Sequence, residues 1–424
     1  SCALRLCCQQ RHDASKRWLP ITIKTYKDLK LTVIIVSYKV RFYLEQCLMA
    51  VQKAIKDIDA EIYVVDNHSD DGTVEYIGNK FPNIHLICSN HNLGFSRANN
   101  IAIRQSKGEY VLLLNPDTIV GEHTIADVLA FMDEHPKAGG AGIKMLNADG
   151  TKARESRRGV PTVATSFYKM SGLCAMYPQS RRFGRYYMGY LPWDKPSRID
   201  IISGAFCMLR RSALDKVGLL DQEYFMYGED IDLSYRLLKG GYENWFVPAT
   251  MLHYKGESAH KSSFRYVHVF YNAMLIFFRK HYGNKAAFVT LPIKAAIIFK
   301  ATITLFKMQM SSVKKNLGFF LPNAGSYARY IFIGTCASIE RCKAICNKRG
   351  IEAEFVEGTE QTMPDGHGNI TITDTERVNV VYDTDAYSYD SIFKIFQEHS
   401  KPNVSIGTYS PKTNIIITDK EIIA

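Results

Sequence analysis

Two adjacent carboxylates, Glu229 and Asp230, stand where the run SGAFCMLRRSALDKVGLLDQEYFMYGEDIDLSYRLLKGGYENWFVP (Ser203–Pro248) passes from an aromatic loop into a helix. A carboxylate so placed can accept the proton of a substrate hydroxyl, and two of them side by side titrate as a coupled pair. Acids in a first helical turn also face the positive end of the macrodipole. Gly228 permits the sharp turn before them, so taken alone the pair reads as ordinary helix N-terminal acids. Three strand ends upstream change that reading. Ser37 closes TVIIVS, Asp66 follows EIYVV and Asp117 follows YVLLLNP. Each run is short and apolar, as buried strands are, and a helical stretch over Tyr43–Ile58 joins the first two. That succession is the βαβ half of a nucleotide-binding α/β domain, whose ligands sit beyond the carboxyl ends of the strands. Ser37, Asp66 and Asp117 fall at that edge.

The ordered segments VIIVSY (Val33–Tyr38), VVDNHSDDGT (Val64–Thr73), NHNLGFSRANNIAI (Asn90–Ile103) and GEYVLLLNPDT (Gly108–Thr118) continue through SGAFCMLRR, YFMYGEDIDLSYR and GGYENWFVP to HYKGES (His253–Ser258). Together they resemble an inverting family-2 glycosyltransferase of the GT-A fold, in particular the rhamnosyltransferase-like branch that builds cell-surface polysaccharides. Two positions depart from the family pattern: Lys39 replaces the usual Asn after the first-strand Tyr, and Asn-Pro-Asp replaces Asp-x-Asp. The resemblance implies a nucleotide grip by Asp66 and Ser69, with Ser37 and Tyr38 closing over the base. It implies Asp117 as ligand to Mg²⁺ or Mn²⁺, hard cations suited to oxygen, and His253 as a second metal or diphosphate contact. Arg97 would pair with the diphosphate or with Asp117. Asp230 is the expected base of a single displacement, with Glu229 the alternative, and Arg236 reads as structural. A dTDP-rhamnose or UDP-hexose donor and a glycan or lipid-linked acceptor follow from the same resemblance. The other reading is a catalytically silent nucleotide-sugar-binding or scaffold subunit of a polysaccharide assembly complex.

At 424 residues and 46% apolar content the chain has material for more than one core. We expect four parts: a disordered or artefactual leader over 1–28, a GT-A domain over 29–260, basic amphipathic helices over 261–324, and a small Rossmann-like α/β domain over 325–424. The net charge of +11 is uneven, for Gly325–Ala424 holds 10 Lys or Arg against 14 Asp or Glu, which leaves +15 on the rest. Between His253 and Phe320 lie 11 Lys or Arg and one acid, Glu257. Lys294, Lys300 and Lys307 interrupt apolar runs there at helical intervals, the pattern of helices lying on an anionic membrane. Nucleic acid is excluded, since these cations sit among apolar runs and not in a polar groove. Ten cysteines without C-x-x-C pairs suit a reducing compartment, so a peripheral enzyme on the cytoplasmic face of the cell membrane is expected. In the C-terminal part Gly334-Thr335-Cys336-Ala337-Ser338 occupies the place of a dinucleotide fingerprint, yet lacks its second and third glycines. A docking or regulatory role is expected there.

Overall fold

The computed structural model describes residues 29–254, 264–283, 329–374 and 376–423. The leader 1–28 and most of the basic stretch, Lys294, Lys300 and Lys307 included, lie outside the described residues. The chain runs β1 (Leu31–Ser37), α1 (Arg41–Ala54), β2 (Ala60–Asp66), α2 (Thr73–Lys80), β3 (His85–Cys88), α3 (Phe95–Gln105) and β4 (Tyr110–Leu114). It continues through β5 (Thr118–Val120), α4 (Thr124–Glu134), β6 (Ala138–Leu146), α5 (Val163–Met170), α6 (Leu173–Met176) and β7 (Ser197–Ile199). Then come β8 (Phe206–Arg210), α7 (Arg211–Val217), α8 (Glu229–Lys239), β9 (Glu243–His253) and α9 (Phe264–Tyr282). Among the described residues no helix is long and apolar enough to cross a membrane.

The chain divides into two compact units. The first holds residues 29–144, Glu155–Val160 and Tyr187–Ala249. Its strands follow the order β3-β2-β1-β4-β8-β6-β9-β5, with β7 paired to β9. The first four are parallel, and β8 runs antiparallel to β4. All seven residues of β1 are buried, as a strand covered on both faces requires. From β1 the chain winds outward to β2 and β3, then returns to β4 on β1's other side. The order therefore reverses between β1 and β4, and the crevice beyond their carboxyl ends is where an open α/β sheet takes its ligand. Register places Ser37 opposite Asp66 at that edge.

The second unit holds Met145–Arg154, Pro161–Tyr186 and the described residues from Thr250 onward. Its sheet comprises β10 (Arg329–Gly334), β11 (Ala353–Glu357), β12 (Val378–Asp383), β13 (Val404–Ser410), β14 (Ile415–Ile417) and β15 (Ile422–Ile423) in the order β11-β10-β12-β13-β14-β15. The first four are parallel, with helices Cys336–Arg349 and Tyr389–Glu398 between them in the chain. Cys342 and Cys346 lie on the buried face of the first helix. These four strands give the Rossmann-like core expected there, and β14 and β15 extend the sheet antiparallel. Only four residues join β13 to β14, enough for a hairpin and far too few for a parallel crossover.

Candidate active site

At the tip of β2 the Asp66 carboxylate is 1% exposed. Its Oδ2 accepts the Ser69 N–H at 2.8 Å, which shapes the following loop as an Asx turn. Oδ1 is buried and has no hydrogen-bond partner among the described residues, and neither has the Ser37 hydroxyl beside it. The Asn67 N–H donates to the Ser37 carbonyl at 2.8 Å and the Lys39 N–H to the Ser69 hydroxyl at 2.9 Å, so the ends of β1 and β2 form one rim. Lys39 and His68 both have left-handed backbone there, at φ 55° and 71°. Lys39 also pairs with Asp70 at 2.8 Å across the loop mouth. Tyr38 is partly exposed next to it.

Asn67 carries this rim onward. Its side chain receives the Leu93 N–H at 2.7 Å and donates to Asn92 at 2.9 Å, which fixes the loop before α3. Arg97 is exposed in the first turn of that helix. The Phe95 N–H then donates to the Phe225 carbonyl at 2.7 Å, and Asn100 bonds both backbone groups of Leu220. The aromatic loop carrying the acid pair is thereby stitched to α3.

In that loop Tyr227 and Gly228 are both left-handed, at φ 67° and 87°, and α8 starts at once with Glu229. Glu229 is buried, and its Oε2 has no partner among the described residues. Burial, and the neighbouring Asp230 charge after it, push this carboxyl up to about 8. Asp230 is more open. Its Oδ2 accepts from the Arg158 guanidinium and from the Gly204 N–H at 3.2 Å. The adjacent Ala205 carbonyl accepts the Asn115 N–H at 3.1 Å, which ties the same segment to the turn bearing Asp117. Asp117 itself is buried behind that turn. Its charge also helps burial hold the Cys47 thiol at about 12. His253 closes β9, half-buried, in the second unit.

A sequence profile described as "Glycosyltransferase like family 2" matches residues 29–267, more than half of the chain. The chain belongs to glycosyltransferase family 2. The sheet with its switch point at β1 and β4 is the GT-A arrangement expected of it. The N-acetylglucosaminyl-diphospho-decaprenol L-rhamnosyltransferase of Mycobacterium tuberculosis is 32% identical over 54% of this chain and 77% of its own. The low-salt glycan biosynthesis hexosyltransferase Agl10 of Haloferax volcanii is 29% identical over 49% of this chain and 61% of its own. The rhamnosyltransferase WbbL of Escherichia coli is 28% identical over 37% and 58%. These similarities bear out the family and its rhamnosyltransferase-like branch.

For this family 2 enzyme a divalent cation is implied. Among the described residues no three His, Cys, Asp or Glu side chains gather closely enough to cage one. A single buried carboxylate such as Asp117 still fits Mg²⁺ or Mn²⁺, because such ions keep water and take substrate phosphate oxygens. Arg158, the cation on Asp230, escapes a reading of the sequence. Its partner lies 72 residues away, and nothing in SRRGVP marks one arginine over the other. The neighbouring Arg157 serves structure: its guanidinium lies 3.6 Å from the Trp193 ring centre and donates to the Pro192 carbonyl at 3.1 Å. Arg236 is structural as expected, pairing with buried Asp232 and donating to the carbonyls of Val217, Gly218 and Leu219.

Proposed function

We propose that this glycosyltransferase moves L-rhamnose, with inversion, from a dTDP- or UDP-linked donor to a hydroxyl of a lipid-linked or cell-surface glycan. The reaction would take place at the inner face of the cell membrane. The observation that carries the reading is Asp230: a carboxylate held by Arg158 and by the Gly204 N–H, whose neighbour Ala205 is bonded to the turn bearing Asp117. The rhamnosyltransferases of Mycobacterium tuberculosis and Escherichia coli among its relatives support the sugar.

In this reading the free oxygen of Asp66 accepts a hydrogen bond from the base edge, with Ser37, Tyr38 and Ser69 lining the rim. Arg97 meets the diphosphate at the start of α3. Asp117 would hold Mg²⁺ or Mn²⁺, which when bound neutralises charge on the departing diphosphate. The acceptor oxygen forms its bond to the anomeric carbon as the bond to diphosphate breaks on the opposite face, and its proton passes to Asp230. Glu229, holding its own proton at neutral pH, adds no second negative charge beside the base.

The test is release of nucleoside diphosphate by the purified chain from dTDP-rhamnose and from UDP-hexoses, with and without a chelator. Metal-dependent release with dTDP-rhamnose is expected, and Asp117→Asn should lose donor binding without a change in melting. No release from any donor would remove the catalytic reading. Donor binding indifferent to chelator would remove the role of Asp117 alone.

A further inference from the structure

Seven large apolar side chains are exposed among the described residues, and five of them, Val163, Phe167, Met170, Met176 and Tyr177, fall within fifteen residues. On α5 the first three stand at i, i+4 and i+7, the spacing of a single helical face. Phe167 on that face is 60% exposed, while Thr165 on the opposite side is buried. The helix is therefore amphipathic in the reverse sense of one packed on its own core. It is held in this pose. The Thr162 hydroxyl caps the Thr165 N–H, and the Thr165 hydroxyl accepts from the Thr162 N–H at 2.8 Å. Beneath, Lys169 lies 3.9 Å from the Tyr186 ring centre, and Tyr168 packs edge-on against Phe183 at 5.0 Å.

Charge completes the surface. Arg181, Arg182 and Arg185 are exposed, and Arg182 lies over the Phe183 ring, which also contacts Tyr177. From Pro161 to Tyr186 the chain has four Lys or Arg and not one Asp or Glu. We propose that α5, α6 and the arginines after them seat this protein on an anionic lipid surface. Apolar side chains enter the headgroup boundary, aromatic rings lie at headgroup level, and the arginines meet lipid phosphates. The inference rests on the exposed face and its charge, and does not depend on the transfer reaction assigned above.

Sedimentation of the full chain with phosphatidylcholine vesicles, with and without phosphatidylglycerol, tests it. The wild type should sediment with the anionic vesicles and leave them as salt shortens the Debye length from about 10 Å toward 3 Å. Arg181→Gln/Arg182→Gln/Arg185→Gln should weaken binding about a hundredfold, because each basic residue near the surface contributes about fivefold. Phe167→Ser/Met176→Ser/Tyr177→Ser should abolish it at low salt, and melting curves check that each variant is folded. Should the apolar set melt early, the arginine set decides alone. A wild type that ignores anionic vesicles overturns the proposal. Patch variants that bind normally overturn it equally, and a partner of another kind would then explain the exposed face.

Discussion

Glu229 and Asp230 are chain neighbours in opposite surroundings. The first is buried beside a negative charge, and the second is partly open and gripped by a cation. We expect Asp230→Asn to cut turnover by on the order of 10²–10⁴, the usual worth of one general base, with donor affinity kept; single-turnover rates beside donor titrations would show this. Glu229→Gln keeps the neutral shape that Glu229 has at pH 7, so turnover there should stay close to wild type. A collapse in this variant, with Asp230→Asn active, would exchange the two roles. Stability separates them further. Glu229 has a folded pKa raised above its ordinary 4.5 to about 8, so the folded state holds that proton more tightly than the unfolded chain. Its stabilising effect is complete below about 4.5 and is lost as pH rises toward 8. Thermal melts should therefore show Glu229→Gln gaining on wild type between pH 5 and 8. A constant difference across that range would mean Glu229 is ionised throughout.

At the scale of elements, the site depends on a few backbone contacts that join segments distant in sequence. Gly94 guards one of them. It has φ +77°, and a Cβ there would sit 2.4 Å from the Phe225 carbonyl oxygen, the acceptor that ties the acid loop to α3. Gly94→Ala should destabilise the protein by about 1–3 kcal/mol from backbone strain alone, and should lower turnover further by displacing the acid loop. Gly172→Ala is the control, with φ +83° and open space around it, so it should lose stability and keep activity. Equal activity in both variants would separate the Phe225 contact from catalysis. How legible such features are depends on their range. β1, β2 and β4 can be read because burial on both faces demands unbroken apolar runs, and Ser37 and Asp66 then fall at one edge by register. Arg158 cannot be read, because choosing its partner takes the folded path between residues 158 and 230. On α5 periodicity actively misleads: Val163, Phe167 and Met170 have core spacing, yet the structure turns them outward. Spacing identifies a face and is silent on what covers it.

On the scale of the whole molecule, the two units have separate sheets, and Ser37, Asp66, Asp117 and Asp230 all belong to the first. A chain of this size with two compact units need not unfold as one cooperative block. Calorimetry should resolve two transitions, one for each unit. A ligand that binds only the folded first unit should raise that transition and leave the other in place, by linkage worth about 2.7 kcal/mol at a hundred times its dissociation constant. Nucleoside diphosphate with Mn²⁺ is the suitable probe, and Asp66→Asn should remove the shift by taking away the oxygen free to meet the base. A diphosphate that raised both transitions together would show the units to be energetically coupled. One that raised only the second would place the nucleotide in the C-terminal sheet, at the edge where Gly334 meets Asp383 and where a glycine-poor fingerprint argues against it.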